Sequence, residues 1–351
     1  MKDKESHIVF LTPGFASSEE DSTVIPALAI YLKELKKTIP KARLTVIAFQ
    51  YPKFIEQYKW FDITVIPLNG SNKRIKKPFI FYKAKMKLNQ LNEKQPISCV
   101  HSFWIGDCSF IGQRFSIKNN INHVVTVMGQ ESVVRNRFVK FINEKKSKIV
   151  SLSKNHSEDL KNKLNISSQI IPWGISSSSF PDLELNSIDI LGVGFLNDVK
   201  NYSFFIKVIA FLVKKHPNIK VEIIGEGKKY TSLKEEIKKL NLNKNIKLTG
   251  LLPRSEVLLK MSKSNILLHT SRYESFGFVF PEALYSGMRI VSTNVGCASE
   301  SMFWKVGGNV KDLASYCDDF LLFTTVNKKR IHLYSIENTI KSYLNLYQLT
   351  E

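Results

Sequence analysis

Paired cysteines are missing from this sequence. Its four, Cys99, Cys108, Cys297 and Cys317, form no Cys-x-x-Cys spacing, which argues against a zinc or disulfide framework and fits a reducing compartment. Long apolar runs are missing too, since no stretch approaches the roughly eighteen residues of a membrane span. Met1 to His7 lead straight into a strand pattern without the apolar core and cleavage site of a signal peptide, so a cytoplasmic location is expected. No repeat of solenoid type is visible. No Asp-x-Asp pair stands at an expected strand end, and no obligatory metal is expected.

What is present is a chain of 351 residues, long for one core and comfortable for two domains. Acidic residues are scarce relative to basic ones, leaving a net charge of +20. The excess is uneven: residues 1–180 hold 28 Lys and Arg against 14 Asp and Glu, the remainder 23 against 17. Two clusters stand out, one over residues 73–87 around Phe79-Ile80-Phe81-Tyr82, the other over 135–148. Basic residues interleaved with aromatics suit an anionic membrane surface or a phosphate-bearing acceptor. The charge is spread over several elements without a recognised module, so nucleic acid is not an expected partner.

Apolar runs alternate with helical patterns along the whole chain, which predicts parallel sheets with helices on both faces. Strands are expected near His7–Thr12, Leu44–Phe49, Thr64–Ile66, Ile97–His101, His123–Val127, Lys148–Leu152 and Gln169–Ile171. A helix is expected from a cap at Ser22 or Thr23 to about Lys37. Pro172-Trp173-Gly174 and the serine run Ser176 to Ser179 mark a boundary. The expected domains are thus 1–175, a linker at 176–187, a second alternating series at 188–325, and a terminal helix within 326–351 that returns to the first domain.

The most informative stretch is Ser271 to Gly287. It follows the apolar run Asn265 to His269, places Glu274 in a turn, and continues into a short helix expected to begin near Gly277 and carry Glu282. Amides of Phe276, Gly277 and Phe278 at such a helix start are a natural seat for a phosphate. A carboxylate on either side of that seat can accept hydroxyl hydrogen bonds. Hydroxyl, phosphate, hydroxyl is the layout of a nucleotide-sugar. Two solvated carboxylates beside a structural turn are the plainer alternative.

Glu-Ser-Phe-Gly, four residues, then Glu-Ala resembles the signature of the retaining glycosyltransferases of family 4, and the likeness extends from about His7 to about Glu300. The fold this resemblance implies is α/β, GT-B, with two Rossmann-like parallel-sheet domains facing a central cleft. Ligands of such sheets sit beyond the carboxyl ends of the strands, so the site is expected in that cleft. By the same resemblance Glu282 binds ribose, Glu274 faces the transferred sugar, Ser275 beside it belongs to the donor-binding set, and the amides of Phe276 to Phe278 bind sugar and phosphate. Lys200, in the loop opened by Gly194, holds the donor diphosphate. Gly225 and Gly227 flank a turn near the nucleotide, where glycine permits close approach, and Leu252 belongs to the segment touching the base. In the first domain Gly14 and Phe15 correspond to a phosphate-facing loop.

Two positions depart from the pattern. Phe195 stands where an Arg is usual, and Met128 where a His is usual. Candidate replacements on the acceptor side are His101, at an earlier strand end, and Gln130 with Glu131. The implied activity is retaining transfer of a sugar from a UDP- or GDP-linked donor to a saccharide or lipid-linked acceptor, in cell-surface or exopolysaccharide synthesis, at the inner face of the membrane. Catalysis would rest on Glu274, Lys200 and His101, with the diphosphate leaving by front-face substitution. A degenerate GT-B scaffold is the alternative that Phe195 and Met128 suggest. A phosphorylase or epimerase on the same fold is a nearer rival.

Overall fold

β1 (His7–Gly14) is buried along nearly its whole length, as a strand with parallel neighbours and both faces covered must be. The computed structural model describes residues 6–21, 24–129, 131, 136–322 and 328–349. The chain divides into two units, Met1–Trp173 with Ile336–Glu351, and Gly174–Ser335. The first unit continues through α1 (Pro26–Thr38), β2 (Arg43–Tyr51), β3 (Tyr58–Trp60), β4 (Ile63–Pro67), α2 (Lys77–Lys94), β5 (Cys99–Phe103), α3 (Asp107–Asn119), β6 (Asn122–Thr126), β7 (Lys148–Ser151), α4 (Lys154–Leu164) and β8 (Gln169–Ile170).

Its eight strands lie in the order β3-β4-β2-β1-β5-β6-β7-β8. All pairings are parallel except that of β3 with β4. Helix α1 begins later than the sequence pattern suggests. Ser22 and Thr23 lie outside the described residues, and the helix opens at Pro26 behind Ile25 in the left-handed region. Proline in the first turn lacks only an amide that would be unpaired there anyway.

The second unit comprises β9 (Ile188–Val193), α5 (Tyr202–Leu212), β10 (Val221–Ile224), α6 (Tyr230–Lys239), β11 (Ile246–Gly250), α7 (Arg254–Ser262), β12 (Ser264–His269), α8 (Val279–Tyr285), β13 (Arg289–Ser292), β14 (Trp304–Val306) and α9 (Val310–Leu322). Its strand order is β11-β10-β9-β12-β13-β14, parallel throughout. Residues 176–187, expected as a linker, lie within this unit and carry a single 3-10 turn at Ser177–Ser179. Residues 328–335 are irregular, and helix resumes only as α10 (Ile336–Tyr347).

Helix α10 is grouped with the first unit. Its buried residues Ile336, Ile340, Tyr343 and Tyr347 recur at three- and four-residue steps and so share one face. That face accounts for the surroundings of His101, which the sequence offered as a catalytic candidate and which lies inside the core. The imidazole is fully buried, with Nδ1 2.6 Å from the Tyr347 hydroxyl and Nε2 2.8 Å from Thr126 Oγ1. Tyr31 and Trp173 extend the network to the hydroxyls of Tyr347 and Tyr343. Burial pushes the His101 pKa well below its ordinary value, so the ring is neutral, and both nitrogens are engaged. A fully satisfied buried network of this kind fixes packing. All four cysteines are free and buried. Among the described residues no helix is long and apolar enough to cross a membrane.

Candidate active site

Strands β9 and β12 are neighbours, pairing Ile190 with Ile266 and Leu191 with Leu267. The loops that leave their carboxyl ends therefore emerge side by side, although 74 positions separate Lys200 from Glu274. Backbone bonds lock them together: the Arg272 amide donates to Val199 O at 2.8 Å, and Thr270 Oγ1 reaches the carbonyls of Lys200 and Asn201. Gly194, at φ 150°, opens the first loop. A Cβ there would lie 3.1 Å from Lys200 Cε, so the missing side chain leaves room for the lysine stem.

Lys200 Nζ lies 2.5 Å from Glu274 Oε1. The same oxygen accepts from Ser271 Oγ at 2.9 Å and from His269 Nε2 at 3.0 Å. A carboxylate only accepts, so Nε2 carries the proton. Burial lowers the His269 pKa, with Glu274 opposing, and the imidazole is neutral at pH 7. For Glu274, burial alone would raise the carboxyl. The charge of Lys200 and the hydrogen bond from His269 outweigh it and hold the pKa down to about 2. The site thus keeps a carboxylate beside an ammonium in a half-dry loop, where such charges interact more strongly than in water. His269 and Ser271 were not expected as site residues. The only sequence signal for His269 is a histidine ending an otherwise apolar run.

The helix carrying Glu282 is shorter than expected. α8 covers seven residues from Val279, so Phe276, Gly277 and Phe278 precede it rather than form its first turn. Gly277 adopts φ 78°, and a Cβ there would meet the buried Phe280 ring at 2.4 Å. The Phe276 side chain is buried and packs on Phe278 and Tyr334. The loop after β13 braces this turn, with the Cys297 amide donating to Phe276 O at 2.9 Å. Glu282 is buried and pairs with Arg254 Nη1, at the start of α7. Arg254 Nη2 is buried without a hydrogen-bond partner among the described residues. Sequence reading passed over Arg254, whose only signal is its place directly after Leu251-Leu252-Pro253.

The Gly225 and Gly227 turn packs closely against the loop that carries Lys200. Added Cβ atoms would lie 2.0 Å from Gly194 O and 2.3 Å from Leu196 O. These glycines admit the neighbouring Lys200 loop, which the Leu196 amide ties to Glu226 O at 2.8 Å. A pocket of about 360 Å³ lies beside this turn, lined by Glu226, Gly227, Tyr230, Thr249 and Gly250. Gly225→Ala meets backbone rather than a movable side chain, and at φ 145°. It is expected to cost about 2 kcal/mol or more, measurable by urea unfolding; an unchanged midpoint would remove this account of the loop packing.

First-unit candidates fare worse. Phe15 is fully buried, its ring 4.9 Å from that of Trp60 and its amide donating to Tyr51 O at 3.2 Å. Its side chain belongs to the core. Gly14 ends β1, and a Cβ there would make only ordinary contacts, the nearest at 3.5 Å, so this position does not demand glycine. Glu131 is buried, and its carboxylate accepts from the amides of Ile105, Met128 and Gly129 at 3.0, 3.2 and 2.7 Å. It pins the loop after β6 rather than facing an acceptor, and burial raises its pKa. Met128 is half-buried. Gln130 lies outside the described residues, as does Arg135 of the second basic cluster. In the second unit Leu252 is half-buried, Leu251 more than half exposed, and Phe195 66% exposed.

Residues 178–314 match the family model described as glycosyl transferases group 1. The phosphatidylinositol N-acetylglucosaminyltransferase gpi3 subunit of Schizosaccharomyces pombe is 28% identical over 176 residues, 48% of this chain and 39% of that protein. The chain spans about half the length of the curated relatives it matches. Among solved structures, a glycosyltransferase from Rickettsia africae superposes with a TM-score of 0.76 at 17% identity, covering 98% of each chain. Anabaena HepE, solved with UDP and glucose, gives 0.70 at 14% identity over 98% of this chain and 99% of that one. The protein therefore has the GT-B fold, and most of its second unit matches the group 1 glycosyltransferase family.

Proposed function

We propose that this chain is a retaining glycosyltransferase that moves a sugar from a UDP- or GDP-linked donor to a saccharide or lipid-linked acceptor. The observation that carries the reading is the Lys200–Glu274 pair at adjoining strand ends, with Glu282 on the helix that follows. The family match spans these same residues, and a structural relative was solved with UDP and glucose. In this reading Lys200 faces the leaving diphosphate, Glu274 accepts from hydroxyls of the transferred sugar, and Glu282 with Arg254 meets the ribose. The bond from the anomeric carbon to the diphosphate breaks as the acceptor oxygen attacks from the same face. The acceptor proton passes to the departing phosphate oxygen. Lys200 stabilises the charge developing there, a task this reading gives to the ammonium rather than to a metal ion. Assembly of cell-surface polysaccharide on the cytoplasmic side of the membrane is the setting this chemistry suits.

Thermal unfolding with UDP, GDP, ADP and their sugar conjugates tests the reading. A nucleotide at a hundredfold excess over its Kd stabilises by about 2.7 kcal/mol, and one selective rise in Tm is expected. Phe195, exposed where a phosphate-binding Arg is usual, favours a second reading as a degenerate scaffold. Absence of any shift at millimolar nucleotide would establish that second reading over the first.

A further inference from the structure

The two basic clusters of the first unit, far apart in sequence, meet through a single ring. Phe110 on α3 lies 5.9 Å from Phe81 on α2, 6.0 Å from Phe138 and 5.2 Å from Phe141. Cations sit over this aromatic row: Arg114 is 4.4 Å from the Phe110 centroid, Arg137 5.4 Å from Phe138, and Lys140 5.0 Å from Phe141. Carboxylates are nearly absent. Across residues 73–94, 107–119 and 136–148 the only ones are Glu93, Asp107 and Glu144. Asp107 is paired with Lys77 at 2.8 Å, and Glu144 accepts from the Ser167 amide.

Between α2 and α3 runs a groove of about 400 Å³, lined by Phe81, Tyr82 and Phe110 together with Lys85, Arg114 and Lys118. Large apolar groups nearby point into water: Ile75 is 89% exposed, Tyr82 66% and Phe79 55%. Exposed apolar side chains among cations are costly on a surface that meets only solvent, and they mark interaction sites. An apolar groove with a cationic rim complements an amphiphile bearing a negative head.

We propose that the α2–α3 groove docks the protein on anionic phospholipid, one acyl chain lying against Phe81 and Phe110 and the phosphate held by Lys85, Arg114 and Lys118. Tyr82, Phe79 and Ile75 enter the interface beside it, as amphipathic anchors do. Work at a membrane surface, part of the reading above, rests on this site, whereas the donor chemistry of the second unit does not. Lipid binding and nucleotide binding can therefore fail independently.

The test is sedimentation of the whole chain with vesicles of phosphatidylcholine alone, or mixed with phosphatidylglycerol. Binding to the mixed vesicles only is expected, falling about twenty- to thirtyfold in Arg114→Ala/Lys118→Ala, since each cation near such a surface is worth about fivefold. Lys234→Ala, at an exposed position on α6, is expected to bind as the parent does. Tyr82→Trp reads the acyl contact: its fluorescence is expected to be quenched by phosphatidylglycerol brominated on the chains. Binding without quenching overturns the groove as an acyl seat. Equal binding to both vesicle types, an equal loss in Lys234→Ala, or tight binding to nucleic acid with none to vesicles overturns the proposal outright. A Tm response to UDP in the variants equal to the parent's excludes misfolding, and its absence from the parent counts against the transferase reading alone.

Discussion

Arg254→Met is expected to cost the folded protein about 3 to 5 kcal/mol, read as a lowered urea midpoint with an unchanged slope. The reason lies in Glu282, whose side chain is only 8% exposed and whose carboxylate is met by the Arg254 guanidinium. Removing the cation leaves that negative charge largely out of water with no replacement. A paired substitution, Arg254→Met with Glu282→Leu, removes both charges and is expected to recover most of the loss, because a buried ion pair and an apolar pair of similar volume are often close in stability. Nucleotide binding separates structure from function. If the pair also meets ribose, Arg254→Met should weaken UDP binding by about tenfold to a hundredfold, the worth of one hydrogen bond to a charged group. Arg254 has the donor for it, since Nη2 is buried without a partner among the described residues. A variant that loses stability yet keeps the parent's UDP response would assign Arg254 to the fold alone. The same result in Glu282→Gln would remove Glu282 as a ribose ligand.

The doubly wound architecture was legible because central parallel strands are apolar on both faces, and β1, β5, β9 and β12 each read as a short apolar run closed by a turn. β3 and β14 were not, since three residues cannot display an alternation. Glu274, Glu282 and Lys200 were singled out by their motif, and the fold brings Lys200 against Glu274. Their partners were not singled out. His269 and Ser271 act on Glu274 because the turn after β12 folds back on its own strand end, and Lys200 joins them because β9 is the adjacent strand. No local pattern carries that adjacency. The surroundings of His101 were hidden for a related reason. A histidine near a strand end looks the same whether it faces a ligand or a core, and the hydroxyl that claims it comes from Tyr347, 246 positions later. At Gly225 and Gly227 the close approach that the structure shows is that of the neighbouring loop, which no local pattern predicts.

The second large effect concerns Lys200. Lys200→Ala is expected to slow the proposed chemistry about 10²- to 10³-fold, the range for removing one preorganised charge-stabilising donor. Hydrolysis of a UDP-sugar, followed by UDP release, measures it without an identified acceptor. Most of the loss should fall on kcat, because charge on the diphosphate is greater in the transition state than in the bound donor. The variant also changes the acid limb of stability. In the parent the Glu274 pKa is held to about 2, below the ordinary 4.5. A depressed carboxyl contributes stability that is complete above about 4.5 and is lost as pH falls toward about 2. Without Lys200, burial acts on Glu274 with only His269 opposing it, so the carboxyl titrates at higher pH and that contribution disappears sooner on acidification. Unfolding midpoints measured across this range should therefore converge for parent and variant at the acid end and separate near neutrality. Parallel curves would mean that the short Lys200–Glu274 contact contributes nothing to the folded state in solution, and an unchanged hydrolysis rate would remove Lys200 from the reaction.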